Sequence, residues 1–163
     1  MATPARSITQ DSVDEVTDAL LTASRLLVAI SARSIAHVDD TITLAQFRTL
    51  VILATQGPVK LATLAHQLDV QPSTATRMVE RLLAAELITR QPNPQTRREL
   101  IIDLTPRGRD VLDEVTARRR SEIEGVVEKM PAAQRHGLVK ALNAFTTAGG
   151  QLTTVDSSHP YLL

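Results

Sequence analysis

Residues 61–104 allow few folds, because two short helical patterns are followed at once by two strand-like runs. Leu61, Leu64, Ala65 and Leu68 fall on one face of a first helix over Leu61–Leu68. Asp69-Val70-Gln71 reads as a tight turn. Pro72 suits the first position of the next helix, where its missing N–H costs nothing. That helix is expected to reach about Ala85, with Ala75, Met78, Val79 and Leu82 facing inward. Residues 87–91 and 100–104 then read as strands, and Pro92-Asn93-Pro94-Gln95 between them is turn chemistry. The order implies a mainly α fold: a winged helix-turn-helix whose wing is a small β-hairpin.

The segments around this unit are helical in pattern. Over residues 12–37, Val13, Val16, Leu20, Ala23, Leu27 and Ile30 recur at spacings of three and four, a heptad-like stripe. Leu21, Leu26, Val28 and Ile35 lie off it, so this helix has two apolar faces and needs two neighbours. A chain of 163 residues has little else to cover both, which favours packing on a partner subunit over an ordinary buried helix. Thr43-Leu44-Ala45-Gln46 fits a capping box, with Leu44, Phe47, Val51 and Ala54 as the following apolar face and Gln56-Gly57-Pro58 as its end. Thr105-Pro106 starts a helix expected to run to about Met130, with Leu112, Val115, Ile123, Val126 and Val127 apolar. Pro131 opens a last helix with Leu138, Leu142 and Phe145, closed by Gly149-Gly150. The expected organisation is a disordered segment 1–11, a dimerisation helix and connector 12–42, a DNA-binding domain 43–104, dimerisation helices 105–150 and a tail 151–163. Val13, Val16, Leu20, Leu27, Leu138, Leu142 and Phe145 are the expected dimer contacts.

Charge sharpens the functional reading. Eighteen basic and eighteen acidic residues cancel, which argues against a purely electrostatic nucleic-acid binder. Residues 71–98, however, carry five arginines against two glutamates, a local charge of +3. Arginine forks match phosphate and guanine. Ser73, Thr74, Thr76, Arg77 and Arg81 form the outward face of the second short helix, which suits a major groove: small residues allow close approach, and Arg77 can reach guanine O6 and N7. Arg97 and Arg98 at the hairpin tip suit a narrow minor groove. Without the hairpin, the same pattern would fit a plain helical pair with a solvated polar face.

At these residues the chain resembles the MarR family of bacterial regulators. The resemblance runs from about Ser12 to Gly150 and is most specific in "LATLAHQLDVQPSTATRMVERLLAAELITR" and "PNPQTRRELIIDLTPRGRDVL". The family commonly closes its wing with an acidic residue, one residue, an arginine and later Leu-Thr; Arg98 and Leu104-Thr105 match. Thr96 stands where the acid is usual, which implies a less firmly held wing. Ala65, Val70, Ala75 and Met78 match core positions of the motif, and Asp69 stands where such turns often have Gly. The resemblance implies a cytoplasmic homodimer that binds a palindromic operator in double-stranded DNA, usually as a repressor. It also implies an effector pocket between the dimerisation and DNA-binding parts, for a small molecule of unknown identity.

Other chemistries find less support. The chain has no cysteine, which excludes disulfides and thiolate metal sites. His37, His66, His136 and His159 lack ligand spacing, so neither a metal nor another cofactor is expected. A metal-sensing regulator with histidine and carboxylate ligands, or a protein-interaction module that kept the fold, is the alternative. No phosphate loop, zincin motif or nucleophile elbow points to an enzyme. Arg118-Arg119-Arg120, with Glu122 and Glu124 near, reads as a solvated or salt-bridged helix face. The absence of an unbroken run of about 18 apolar residues argues against a membrane span.

Overall fold

The computed structural model describes residues 12–96 and 99–149. The segments expected as a disordered N-terminus and a tail, the wing residues Arg97 and Arg98, and His159 lie outside the described residues.

Among the described residues, six helices and a three-stranded sheet follow in order: α1 (Val13–Val38), α2 (Leu44–Gln56), β1 (Val59–Lys60), α3 (Leu61–Leu68), α4 (Pro72–Ala84), β2 (Ile88–Pro92), β3 (Leu100–Leu104), α5 (Pro106–Glu128) and α6 (Ala132–Ala148). The fold is the expected winged helix, with one addition. The hairpin of β2 and β3 gains β1 on the free edge of β3, giving the antiparallel order β1-β3-β2. Two residues carry too little periodicity to be read from the sequence as a strand.

Local chemistry places the helix starts. Ser12 and Glu15 form a capping box on α1, and Thr43 and Gln46 form the one expected on α2. The Thr105 hydroxyl accepts from the Gly108 N–H at the start of α5. Gly57 ends α2 at φ 76° and ψ −161°, a region open essentially only to glycine.

The core lies between α1, α2 and the winged unit. Phe47, Leu50 and Leu53 of α2 meet Leu64, Leu68, Val79 and Leu82 of the helix-turn-helix, with Ile102 of β3 and Leu112 and Val115 of α5. The buried ridge of α2 is therefore Phe47, Leu50 and Leu53, and the expected Leu44, Val51 and Ala54 flank it half-buried. The thirteen-residue helix is surrounded on more than one side, so its apolar pattern did not single out one face.

The C-terminal half of α1 packs on α5, where Glu122 accepts from Arg33 at 3.0 Å and from the Ser34 hydroxyl at 3.3 Å. Arg120 pairs with Glu124 at 2.9 Å, as expected of a salt-bridged face. Arg119 departs from that expectation: it is half-buried, and burial lowers the pKa of its guanidinium.

Other apolar residues remain uncovered. Val13, Val16 and Leu27 of α1 and Leu138, Leu142 and Phe145 of α6 are exposed, and α6 buries no residue at all. By length and composition alone, α1 also passes as a helix able to cross a membrane.

Gly108 sets how α5 meets the winged unit. A Cβ there would stand 2.0 Å from the Leu87 carbonyl oxygen and 3.1 Å from a Leu104 methyl. Backbone cannot yield as a flexible side chain can, so Gly108→Ala should destabilise the fold by about 1–3 kcal/mol. Urea unfolding monitored by circular dichroism checks this; an unchanged midpoint would contradict the close packing.

Candidate nucleic-acid interface

The helix-turn-helix is formed by α3 and α4. Leu64, Ala65 and Leu68 of α3 are buried against Ala75, Val79 and Leu82 of α4, which leaves the opposite face of α4 outward. Asp69 makes the turn in the left-handed region, at φ 53° and ψ 49°. Asp is among the few side chains that enter this region readily, so it serves where glycine is common. The Val70 N–H then donates to the Ala65 carbonyl at 3.1 Å and closes the turn.

Ser73, Arg77 and Arg81 follow one another at intervals of four, so they line one face of α4. They are exposed, as is Thr74. Thr76 differs: it is half-buried, and its hydroxyl donates to the Pro72 carbonyl at 2.9 Å. Its proton is thus used within the helix, while its oxygen can still accept.

The wing carries a feature that the sequence reading missed. Glu99 sits just before β3, and its carboxylate accepts from the Thr96 hydroxyl at 2.8 Å. Lys60 of β1 pairs with the same oxygen at 2.7 Å, and the Asn93 amide approaches it at 3.5 Å. The hydrogen bond from Lys60, then that from Thr96, holds the Glu99 pKa below the ordinary glutamate value. Neutral pH therefore keeps this charge, and the interaction is lost only as pH falls through the depressed folded value. Thr96 is thus a donor to an acid three residues on. The Lys60–Glu99 pairing could be found only with the β1–β3 register, which sets Lys60 opposite Ile101 and diagonal to Glu99.

Among the described residues, two clefts border α4. One, of about 460 Å³, lies between Thr41 and Ile42 of the α1–α2 connector, Gln46 of α2, and Arg81 and Ala85 at the end of α4. The other, of about 510 Å³, lies between α3 and the start of α4 and includes His66 and Pro72. Among the described residues, no three His, Asp or Glu side chains gather as metal ligands.

Relief of the left-handed turn is testable. Asp69→Gly should leave the fold intact and raise its stability, while Asp69→Val should lower it by about 1–2 kcal/mol. Thermal melts of both variants check the order; a stabilised valine variant would contradict the turn geometry.

The family model described as the MarR family matches residues 42–100. The crystal structure of RV1404 from Mycobacterium tuberculosis is 64% identical, with a TM-score of 0.81, covering 91% of this chain and all of that one. The transcriptional regulator Tm0710 from Thermotoga maritima is 28% identical with a TM-score of 0.66, over 82% of this chain and 94% of that one. The transcriptional repressor NicR of Pseudomonas putida is 39% identical over 52% of this chain and 55% of its own length. The chain spans about half to two thirds of the curated relatives it matches. Family members are transcriptional regulators and not enzymes. With a packed helix-turn-helix, an exposed polar face on α4 and a sheet-borne wing, this chain belongs to the MarR family of DNA-binding transcriptional regulators.

Proposed function

We propose that the chain is a repressor that binds a palindromic operator as a homodimer and is released by a small-molecule effector. The observation that carries the reading is the outward face of α4, where Ser73, Thr74, Arg77 and Arg81 stand exposed on a helix whose other side is locked into the core. Such a face offers hydroxyls to phosphates and guanidinium groups to guanine edges. The name of the Pseudomonas putida relative supports repression. In this reading Arg97 and Arg98 reach an adjacent minor groove.

Exposed apolar side chains on α1 and α6 support the homodimer. Val13 is 82% and Phe145 54% exposed, and Val16, Leu27, Leu138 and Leu142 are also uncovered. Leu20, on the same stripe, is half-buried. A second copy would cover the surfaces together and set two recognition helices about 34–36 Å apart, one turn of DNA. The cleft beside Arg81 supports effector control, because it joins the α1–α2 connector to the recognition helix. An effector favouring the DNA-incompetent arrangement weakens DNA binding, and DNA weakens effector binding by the same factor.

Val16→Glu and Leu20→Glu would each place a charge in the apolar seam. Both should shift sedimentation toward monomer and weaken binding to operator DNA selected from genomic fragments. Variants that stay dimeric at low concentration would contradict the seam.

Arg77→Ala tests base reading. The loss should be about 1–3 kcal/mol on operator and smaller on random DNA. Equal losses on both would reduce Arg77 to a phosphate contact.

A further inference from the structure

We infer that Glu99 is a positioning residue for the wing, one carboxylate that ties Thr96, Asn93 and Lys60 together and so replaces the acid missing at position 96. The inference rests on the DNA-binding reading above for its consequence, and on geometry for its existence.

Backbone and side-chain bonds converge here. The Glu99 N–H donates to the Thr96 carbonyl at 2.9 Å. Asn93 donates its N–H to the Glu99 carbonyl at 2.8 Å, and Thr96 donates its N–H to the Asn93 carbonyl at 3.2 Å. The Asn93 side chain accepts from the Gln95 N–H at 2.9 Å. Onto this frame the Glu99 carboxylate adds the Thr96 hydroxyl and the Lys60 ammonium. The loop is thereby bonded to itself and also to β1, which leads directly into α3. The Lys60 and Thr96 contacts are exposed and individually weak, but one acceptor shared by three donors restricts the loop more than separate pairs would.

The sign of the effect separates this role from simple electrostatics. A carboxylate near DNA repels phosphates, and its pairing also occupies Lys60. If Glu99 were only a nearby charge, its removal would tighten operator binding and free Lys60 for a phosphate. If it positions the wing, removal loosens binding although a negative charge has gone. The same geometry reverses the expectation for position 96. An Asp there would face the Glu99 carboxylate where a hydroxyl now donates, so Thr96→Asp should disturb the wing.

The test uses the full chain and two readouts. Amide exchange at Asn93, Thr96 and Glu99, followed by NMR in the free protein, reports wing order without DNA. Affinity for the selected operator reports the consequence. Glu99→Ala should speed exchange at these amides, leave the melting temperature nearly unchanged and weaken operator binding about two- to fivefold. Glu99→Gln, whose amide oxygen still accepts from Thr96, should lose less. Thr96→Val should lose part of the effect and add nothing on top of Glu99→Ala. Unchanged exchange in Glu99→Ala, or tighter operator binding by it, would overturn the inference. If the wild-type chain binds no genomic fragment, the DNA-binding reading falls, and the exchange data alone decide whether Glu99 orders the loop.

Discussion

The rest of the structure depends on the contact between the first turn of α5 and the corner where α4 turns into β2. Thr105 makes three bonds there. Its N–H donates to the Leu87 carbonyl at 3.1 Å, its hydroxyl donates to the Glu86 carbonyl at 2.7 Å, and the same oxygen accepts from Gly108 at 2.9 Å. Glu86 takes a left-handed conformation at φ 60° to bring its carbonyl into place. Gly108 lets the helix lie against the Leu87 backbone. The long helix that carries α6 is thus bonded to the corner just after α4. In the proposed regulator a displacement of α5 would pass to α4 through these contacts, because packed interiors shift between discrete arrangements and do not deform smoothly.

In the proposed dimer the uncovered apolar surface would meet a second copy. Within the chain, the first half of α1 and all of α6 leave their apolar side chains unburied. Burial of apolar surface is worth roughly 25 cal/mol per Å², so a second copy covering it would stabilise both chains. In the proposed dimer the distance between two recognition helices is then set by the same helices that hold the copies together. A ligand in the cleft beside Arg81 and Ile42 would act on the connector that joins those parts.

Much of this was legible in the sequence, wherever a local rule determines a local structure. The Thr43 capping box, Pro72 at the first position of α4, the Asp69 turn and the Thr105 cap all lie where residue type and spacing put them. Ala75, Val79 and Leu82 were legible as the inner face of α4 for the same reason. What escaped depends on strand register or on tertiary surroundings. Strand β1 exists because β3 offers it an edge, and the Lys60–Glu99 pair exists because of that register. The buried ridge of α2 moved to Leu50 and Leu53 because neighbours on several sides decide it. Arg119 is half-buried in a run that looked solvated, since periodicity alone could not show what packs around it. Ser12 and Glu15 carry the same legible capping-box spacing as Thr43 and Gln46.

Hydroxyl-radical footprinting on a selected operator tests the central claim most directly, because it reports both copies and their separation at once. The account predicts two protected patches related by two-fold symmetry, their centres about one helical turn, 10–10.5 base pairs, apart. An insertion of half a turn between them should abolish the paired pattern. A single asymmetric patch, or one indifferent to that insertion, would contradict a dimer whose helices set the reading distance.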